Sequence, residues 1–277
     1  MKRLKFLASS GLASGALYAG DWEYFQGPNG DGISDEKGLR SKSLKQIWNS
    51  NIKTGFSSIS VSDGLVFSMG NQNNTDFVYA LDSKTGKKVW EYSYPCELTP
   101  NLYEGGPNAT PTISDGKVYT LSKEGDAFCF EAKTGKVIWQ KDCTAFGAKK
   151  PKWGFAGSPT IVGSLVLLSV GDSGAALNKD SGEKVWSSGG GDAGYAPVVP
   201  YSSKNAIMLC GESFKGVEIS SGKVLWTEPF MASYKVNAAT PIIVGKYALI
   251  STGYGEGRSA FYDLSGSKPK KIWENTE

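Results

Sequence analysis

Six tryptophans divide this chain into near-equal parts. Trp48, Trp90, Trp139, Trp186, Trp226 and Trp273 stand 42, 49, 47, 40 and 47 residues apart. Ahead of four of them runs one pattern, a strand-like stretch, a Gly-centred turn and a second short stretch ending on the indole. It reads Ala80-Leu81-Asp82-Ser83-Lys84-Thr85-Gly86 before Trp90 and Phe130-Glu131-Ala132-Lys133-Thr134-Gly135 before Trp139. It recurs as Leu177-Asn178-Lys179-Asp180-Ser181-Gly182 before Trp186 and Val217-Glu218-Ile219-Ser220-Ser221-Gly222 before Trp226, with a looser copy, Tyr262-Asp263-Leu264-Ser265-Gly266, before Trp273. A period in the forties built from short strands is the mark of a β-propeller, one four-stranded antiparallel blade per repeat. The chain is therefore expected to be all-β, with about five blades over residues 44–277.

Each blade follows one plan. An innermost strand opens on small residues and proline, as in Ala109-Thr110-Pro111, Gly157-Ser158-Pro159, Ala196-Pro197 and Ala239-Thr240-Pro241. Proline fits a strand's first residue, where no ladder donor is needed. A second apolar strand, the alternating third strand and an outer strand ending on tryptophan follow. The six blade tryptophans are expected to pack between blades, where a large flat group fills the widening wedge and its N–H meets a backbone carbonyl.

Histidine is absent from the sequence, which rules out Ser-His-Asp triads, Cys-His dyads and His-ligated metals within this chain. The four cysteines, Cys96, Cys129, Cys143 and Cys210, form no CxxC pair. Cys129 and Cys210 lie in apolar runs and read as buried side chains. Cys96 and Cys143 fall in loops after their blade tryptophans, and a disulfide between them is left open. Gly189-Gly190-Gly191 lacks the strand-to-helix setting of a phosphate loop.

Residues 1–19 carry Lys2, Arg3 and Lys5 ahead of a modest apolar stretch with small residues near Ala19, the layout of an export signal. Residues 20–43 form a separate N-terminal segment, whose Gly27-Pro28-Asn29-Gly30-Asp31-Gly32 reads as a solvated turn rather than a calcium loop. Removing the three N-terminal cations takes the formal charge from +3 to 0. With no basic run, nucleic acid is not an expected partner. No stretch is apolar and long enough to span a membrane, and no cysteine near the cleavage site supports a lipid anchor.

The A-x-D-x-x-T-G-x-x-x-W repeat resembles the tryptophan-docking motif of the PQQ-like (quinoprotein-type) propeller superfamily over about residues 44–277. The opening Trp22-Glu23-Tyr24-Phe25-Gln26-Gly27-Pro28, together with Gly154-Phe155-Ala156-Gly157-Ser158-Pro159 and Thr252-Gly253-Tyr254-Gly255, is similar to secreted bacterial PQQ-binding-like propeller proteins related in fold to the outer-membrane assembly factor BamB. The resemblance implies a ring of seven or eight blades, so the sequence is expected to be a C-terminally truncated piece of one. It fixes fold better than function, since such blades serve both dehydrogenases and assembly scaffolds. The dehydrogenases bind PQQ with calcium held by Glu, Asn and Asp, many under a vicinal cysteine disulfide. Glu104, Asn108, Asp192 and Asn237 are the residues from which such a calcium set would be drawn, but no adjacent cysteines exist.

In a propeller, loops leading into the innermost strands gather at one end of the channel. Those loops supply the candidate ligand-binding residues: Tyr103, Glu104, Asn108, Trp153, Phe155, Asp192, Tyr195, Tyr234, Lys235 and Asn237. Aromatic rings with amides and a few charges suit a planar ligand, a sugar or a peptide. The expectation is an exported, non-catalytic scaffold that binds a protein partner or extracellular ligand, envelope assembly being one setting. A PQQ–calcium oxidoreductase and a carbohydrate binder using Trp153 and Tyr195 are the alternatives.

Overall fold

The computed structural model describes residues 20–37, 45–101, 103–255 and 257–276. The expected export signal, residues 1–19, lies outside them. Among the described residues five four-stranded antiparallel sheets follow one another. The first holds β1 (Ser60–Ser62), β2 (Leu65–Asn71), β3 (Thr75–Asp82) and β4 (Lys88–Pro95). The second holds β5 (Thr112–Ser114), β6 (Lys117–Leu121), β7 (Asp126–Glu131) and β8 (Val137–Asp142). The third is β9 (Thr160–Val162), β10 (Leu165–Leu168), β11 (Ala175–Asn178) and β12 (Lys184–Ser187). The fourth is β13 (Val199–Pro200), β14 (Asn205–Leu209), β15 (Ser213–Glu218) and β16 (Val224–Pro229). The fifth is β17 (Ile242–Val244), β18 (Tyr247–Thr252), β19 (Arg258–Asp263) and β20 (Lys270–Asn275). Among the described residues there is no α-helix. The innermost strands β5, β9 and β17 begin one residue after Pro111, Pro159 and Pro241, so these prolines precede the ladder rather than open it.

The core lies between blades. Phe67, Met69, Val78 and Trp90 meet Ile113, Val118, Phe128 and Phe130 across the first boundary. Leu121, Cys129 and Trp139 meet Val166, Leu168 and Leu177 across the second. Equivalent clusters join the third blade to the fourth through Trp186 and Met208, and the fourth to the fifth through Trp226 and Tyr262. Neighbouring blades thus share one apolar layer, as stacked repeats that cannot bury a face alone must.

The repeat motif builds these boundaries. In the first blade Asp82 Oδ1 accepts from the backbone N–H of Thr85 at 2.8 Å and the Thr85 hydroxyl at 2.8 Å. The Gly86 N–H closes the turn on the Asp82 carbonyl at 2.8 Å. Gly86 sits at φ +68°, a left-handed conformation that costs other residues energy. Against that bare glycine lies the indole of Trp48, where an added Cβ would come within 2.6 Å. Trp48 Nε1–H donates to the Ser83 carbonyl at 2.9 Å. The same contact recurs for Trp90 with Ala132, Trp139 with Lys179 and Trp186 with Ile219, at 2.8 to 2.9 Å.

The fifth blade departs from this rule. Gly266 stands three residues after Asp263, where Gly86 stands four after Asp82, and a Cβ on Gly266 would meet Lys268 rather than Trp226. Trp226 packs instead on Phe214, ring centroids 5.5 Å apart. Trp273 stacks on Phe261 and keeps 45% of its surface exposed, and Trp48 is half-buried against the first blade alone, so only Trp90, Trp139, Trp186 and Trp226 are buried between blades as expected.

All four cysteines are buried and free. Cys96 belongs to the core between the first two blades and Cys143 to the next one, so the disulfide left open by the sequence does not join them.

Candidate functional site

Loops that lead into the innermost strands line an open cavity of about 470 Å³. Of the residues proposed from sequence, Tyr103, Asn108, Trp153 and Tyr195 line it together. Tyr103 stands between Phe56 and Trp153, with ring centroids 5.3 Å and 5.8 Å away. The Trp153 backbone is held from two sides. Its carbonyl accepts from Asn108 Nδ2 at 3.4 Å, and its N–H donates to the Tyr195 hydroxyl at 3.4 Å. Burial pushes the Tyr195 phenol above its ordinary pKa, keeping it neutral.

Local backbone explains why Trp153 reaches the channel while Phe155 does not. In an extended run residues two apart share a face. Gly154 interrupts that run at φ +79°, with Lys123 so close that an added Cβ would lie 2.6 Å from it. The chain turns there, and the Phe155 N–H bonds to the Lys123 carbonyl at 2.9 Å. Trp153 stays half-buried at the cavity, and Phe155 drops into the core between the second and third blades with no exposed surface.

The other proposed residues stand apart from the cavity. Asn237 is fully buried and works on the backbone, its Nδ2 donating to the carbonyls of Cys210 at 2.8 Å and Phe230 at 2.7 Å. Asp192 and Lys235 form a 2.8 Å ion pair on the surface, which Glu212 joins at 2.8 Å. Their hydrogen bonds raise the Lys235 pKa. Glu104 is exposed, and Tyr234 is 76% exposed on a left-handed turn. Tyr234 touches the rim nonetheless: its ring meets Tyr254 at 6.1 Å, and the Lys152 ammonium lies 5.6 Å from it and 5.3 Å from Trp153.

Sequence reasoning missed Phe25, Phe56 and Tyr254, which complete the aromatic wall. Phe56 lies four residues ahead of β1, and Tyr254 lies in the β18–β19 connection. Phe25 comes from the N-terminal segment, which pairs with the inner strands of the first two blades. There Trp22 and Val61 exchange backbone bonds at 2.8 and 2.9 Å, and the Ile113 N–H donates to the Glu23 carbonyl at 2.9 Å. Only a fold that seats residues 22 and 23 on two inner strands brings Phe25 to this wall.

The walls combine six aromatic rings with the side chains of Asn101, Asn108, Ser158 and Thr240, and no charged residue lines them. PQQ is a planar tricarboxylate and needs cations, and calcium needs six to eight oxygen ligands. Glu104, Asn108, Asp192 and Asn237 do not converge. Among the described residues no group of three or more His, Cys, Asp or Glu side chains could hold a metal. The residues of this cavity do not fit a PQQ–calcium pair. Their chemistry suits an uncharged or apolar group held against aromatic faces.

Comparison with known proteins bears on both readings. Quinoprotein ethanol dehydrogenase of Pseudomonas aeruginosa is 30% identical over 141 residues, 46% of this chain and 21% of that enzyme. BamB of Burkholderia pseudomallei is 24% identical over 272 residues, 92% of this chain and 63% of that protein. The chain therefore spans less than two thirds of either relative's length. The crystal structure of BamB from Moraxella catarrhalis superposes with a TM-score of 0.59 at 16% identity, covering 79% of this chain and 61% of that one, a likeness of fold. The family model described as outer membrane protein assembly factor BamB matches residues 74–277. With five four-stranded blades and that match over most of its length, the chain belongs to the BamB family of PQQ-like β-propellers.

Proposed function

We propose that this protein is an exported, non-catalytic propeller that binds a protein partner through the aromatic cavity at its channel mouth, in the cell envelope. The observation that carries this reading is the cavity's lining, six rings and a few neutral polar groups without a charged residue. Aromatic, uncharged pockets of this kind are where interface anchors insert. Family membership supports the envelope setting, and residues 1–19 supply the export signal on this reading. No helix among the described residues is long and apolar enough to cross a membrane.

The test is site-specific photocrosslinking in cells. Trp153→p-benzoylphenylalanine places the probe at the cavity, and the same replacement at the exposed outer-strand residue Ile138 serves as control. A discrete protein adduct from position 153 and none from 138 is the expected result. Adducts of equal yield from both positions, or none from 153, overturn it.

The dehydrogenase relatives favour a second reading, a PQQ–calcium oxidoreductase whose site is formed elsewhere. Titration with PQQ and calcium separates the two. Saturable, calcium-dependent quenching of tryptophan fluorescence with dye-linked alcohol oxidation supports the enzyme, and its absence supports the scaffold.

A further inference from the structure

The N-terminal segment reveals what the innermost strand edges accept. In antiparallel pairing, successive residues turn their N–H and C=O groups alternately toward one neighbour and the other. Val61, opposite Val66 in the ladder, directs its pair away from β2 and into the channel, where Trp22 takes both bonds. Ile113, opposite Val118, does the same and meets Glu23. The corresponding register positions are Ile161 opposite Val166, Pro200 opposite Ala206 and Ile243 opposite Ala248. By that register Ile161 and Ile243 also aim a donor and an acceptor at the channel, whereas Pro200 has no N–H to offer.

Facing these edges is a cavity of about 710 Å³. Residues 158–161, 197–200 and 240–244 form one side, and the N-terminal segment from Tyr24 to Asp31 forms the other. On either side of Ile243, Ile242 and Val244 are 52% and 63% exposed. Phe25, Ser158, Pro197 and Thr240 line both this cavity and the one at the mouth, so the two adjoin. An unpaired strand edge flanked by exposed β-branched side chains is a template for strand addition. The chain's own segment already seats on two of the five edges in this way.

We propose that an extended, apolar segment of a partner protein enters through the aromatic mouth and adds to the inner edge of the fifth blade. It exchanges main-chain hydrogen bonds with Ile243 and packs side chains against Ile242 and Val244. This rests on the mouth cavity being the binding site, and gives that site's ligand a class: peptide in β conformation.

The probe is a fluorescein-labelled peptide with the sequence of residues 20–26, Gly-Asp-Trp-Glu-Tyr-Phe-Gln, which makes this pairing with β1 in the intact chain. Fluorescence anisotropy with the full chain is expected to show saturable binding. Methylating the probe's Trp nitrogen removes one main-chain donor and keeps every side chain. Ile243→Pro removes the matching donor on the protein. Each is expected to weaken binding about threefold to tenfold, the effect of one hydrogen bond.

No saturable binding, or binding indifferent to Ile243→Pro in a folded variant, overturns the assignment to the fifth blade. Should Ile243→Pro fail to fold, the N-methylated probe decides alone, and equal affinity for the two peptides overturns the pairing. Loss of binding in Trp153→Ala with none in Ile243→Pro leaves the mouth-cavity reading standing and removes the strand addition.

Discussion

The indole of Trp90 in the first blade lies on Gly135 of the second and donates its N–H to the Ala132 carbonyl, 2.8 Å away. One tryptophan thus fills the wedge between two blades and satisfies a turn carbonyl, while the glycine beneath supplies both a left-handed turn and a bare surface. A side chain added at the glycine would run into the ring.

Gly135→Ala should therefore cost more than the same change at another left-handed glycine. An added Cβ at Gly135 would lie 2.6 Å from the Trp90 ring at φ +72°, whereas at Gly116, φ +70°, nothing lies within 4 Å. Gly116→Ala carries the backbone penalty alone, about 1–2 kcal/mol. Gly135→Ala adds overpacking of about 1–3 kcal/mol. Chemical denaturation of the two variants should give clearly separated midpoints, Gly135→Ala being the lower.

Tryptophan truncation should grade with burial rather than with the motif. Trp139 is 7% exposed in the core between the second and third blades, and Trp273 is 45% exposed. Trp139→Ala is expected to destabilise by about 3–5 kcal/mol. Trp273→Ala is expected to cost about 1 kcal/mol or less, the loss of one exposed stack on Phe261. Similar thermal midpoints for the two variants would contradict this assignment of the packing roles.

Asp76 should make the chain less stable as pH rises. It is fully buried, accepting from Asn71 Nδ2 at 2.6 Å and the Tyr94 hydroxyl at 3.4 Å. Burial raises its pKa above 3.8, against those hydrogen bonds and the positive charge of Lys123. A carboxyl with a folded pKa above its unfolded one contributes stability below the unfolded value and loses it as pH rises through the folded value. Relative to Asp76→Asn, which does not titrate, the wild type should lose thermal stability from pH 4 upward. A difference in thermal midpoint that stays flat between pH 4 and 7 would refute this.

The cysteines should be silent in the native protein. Burial pushes the thiols of Cys129, Cys143 and Cys210 up to about 12, and raises Cys96 as well, so no thiolate is available at neutral pH. Ellman's reagent is expected to find no reactive thiol in the folded chain and four after unfolding in urea without reductant. Two thiols after unfolding would mean a disulfide.

Trp153→Ala should leave the fold intact and empty the mouth of its largest ring. Trp153 is half-buried, outside the clusters that join the blades. Its removal is expected to shift the thermal midpoint by only a few degrees, while abolishing partner capture at the cavity. Wholesale unfolding would show that the ring belongs to the core.

The repeat is legible in the order of residues alone. Local turn chemistry, in which Asp82 or its counterparts cap a left-handed glycine, is written within five residues, and a tryptophan follows four residues later that packs on the next blade's glycine. Fold class, strand order and the burial of Cys129 and Cys210 were legible for that reason. The tertiary structure alone decided which loop residues meet. Trp153 and Phe155 look alike in sequence, and one left-handed glycine between them sends one to the channel and the other into the core. Asn237 looks like a ligand and is a backbone tie, because it lies behind the loop whose neighbours face the cavity. Phe25 lies more than 120 residues from Trp153 along the chain. They share a wall only because residues 22 and 23 hydrogen-bond to the inner strands of two blades, a pairing between distant backbones that no local pattern records.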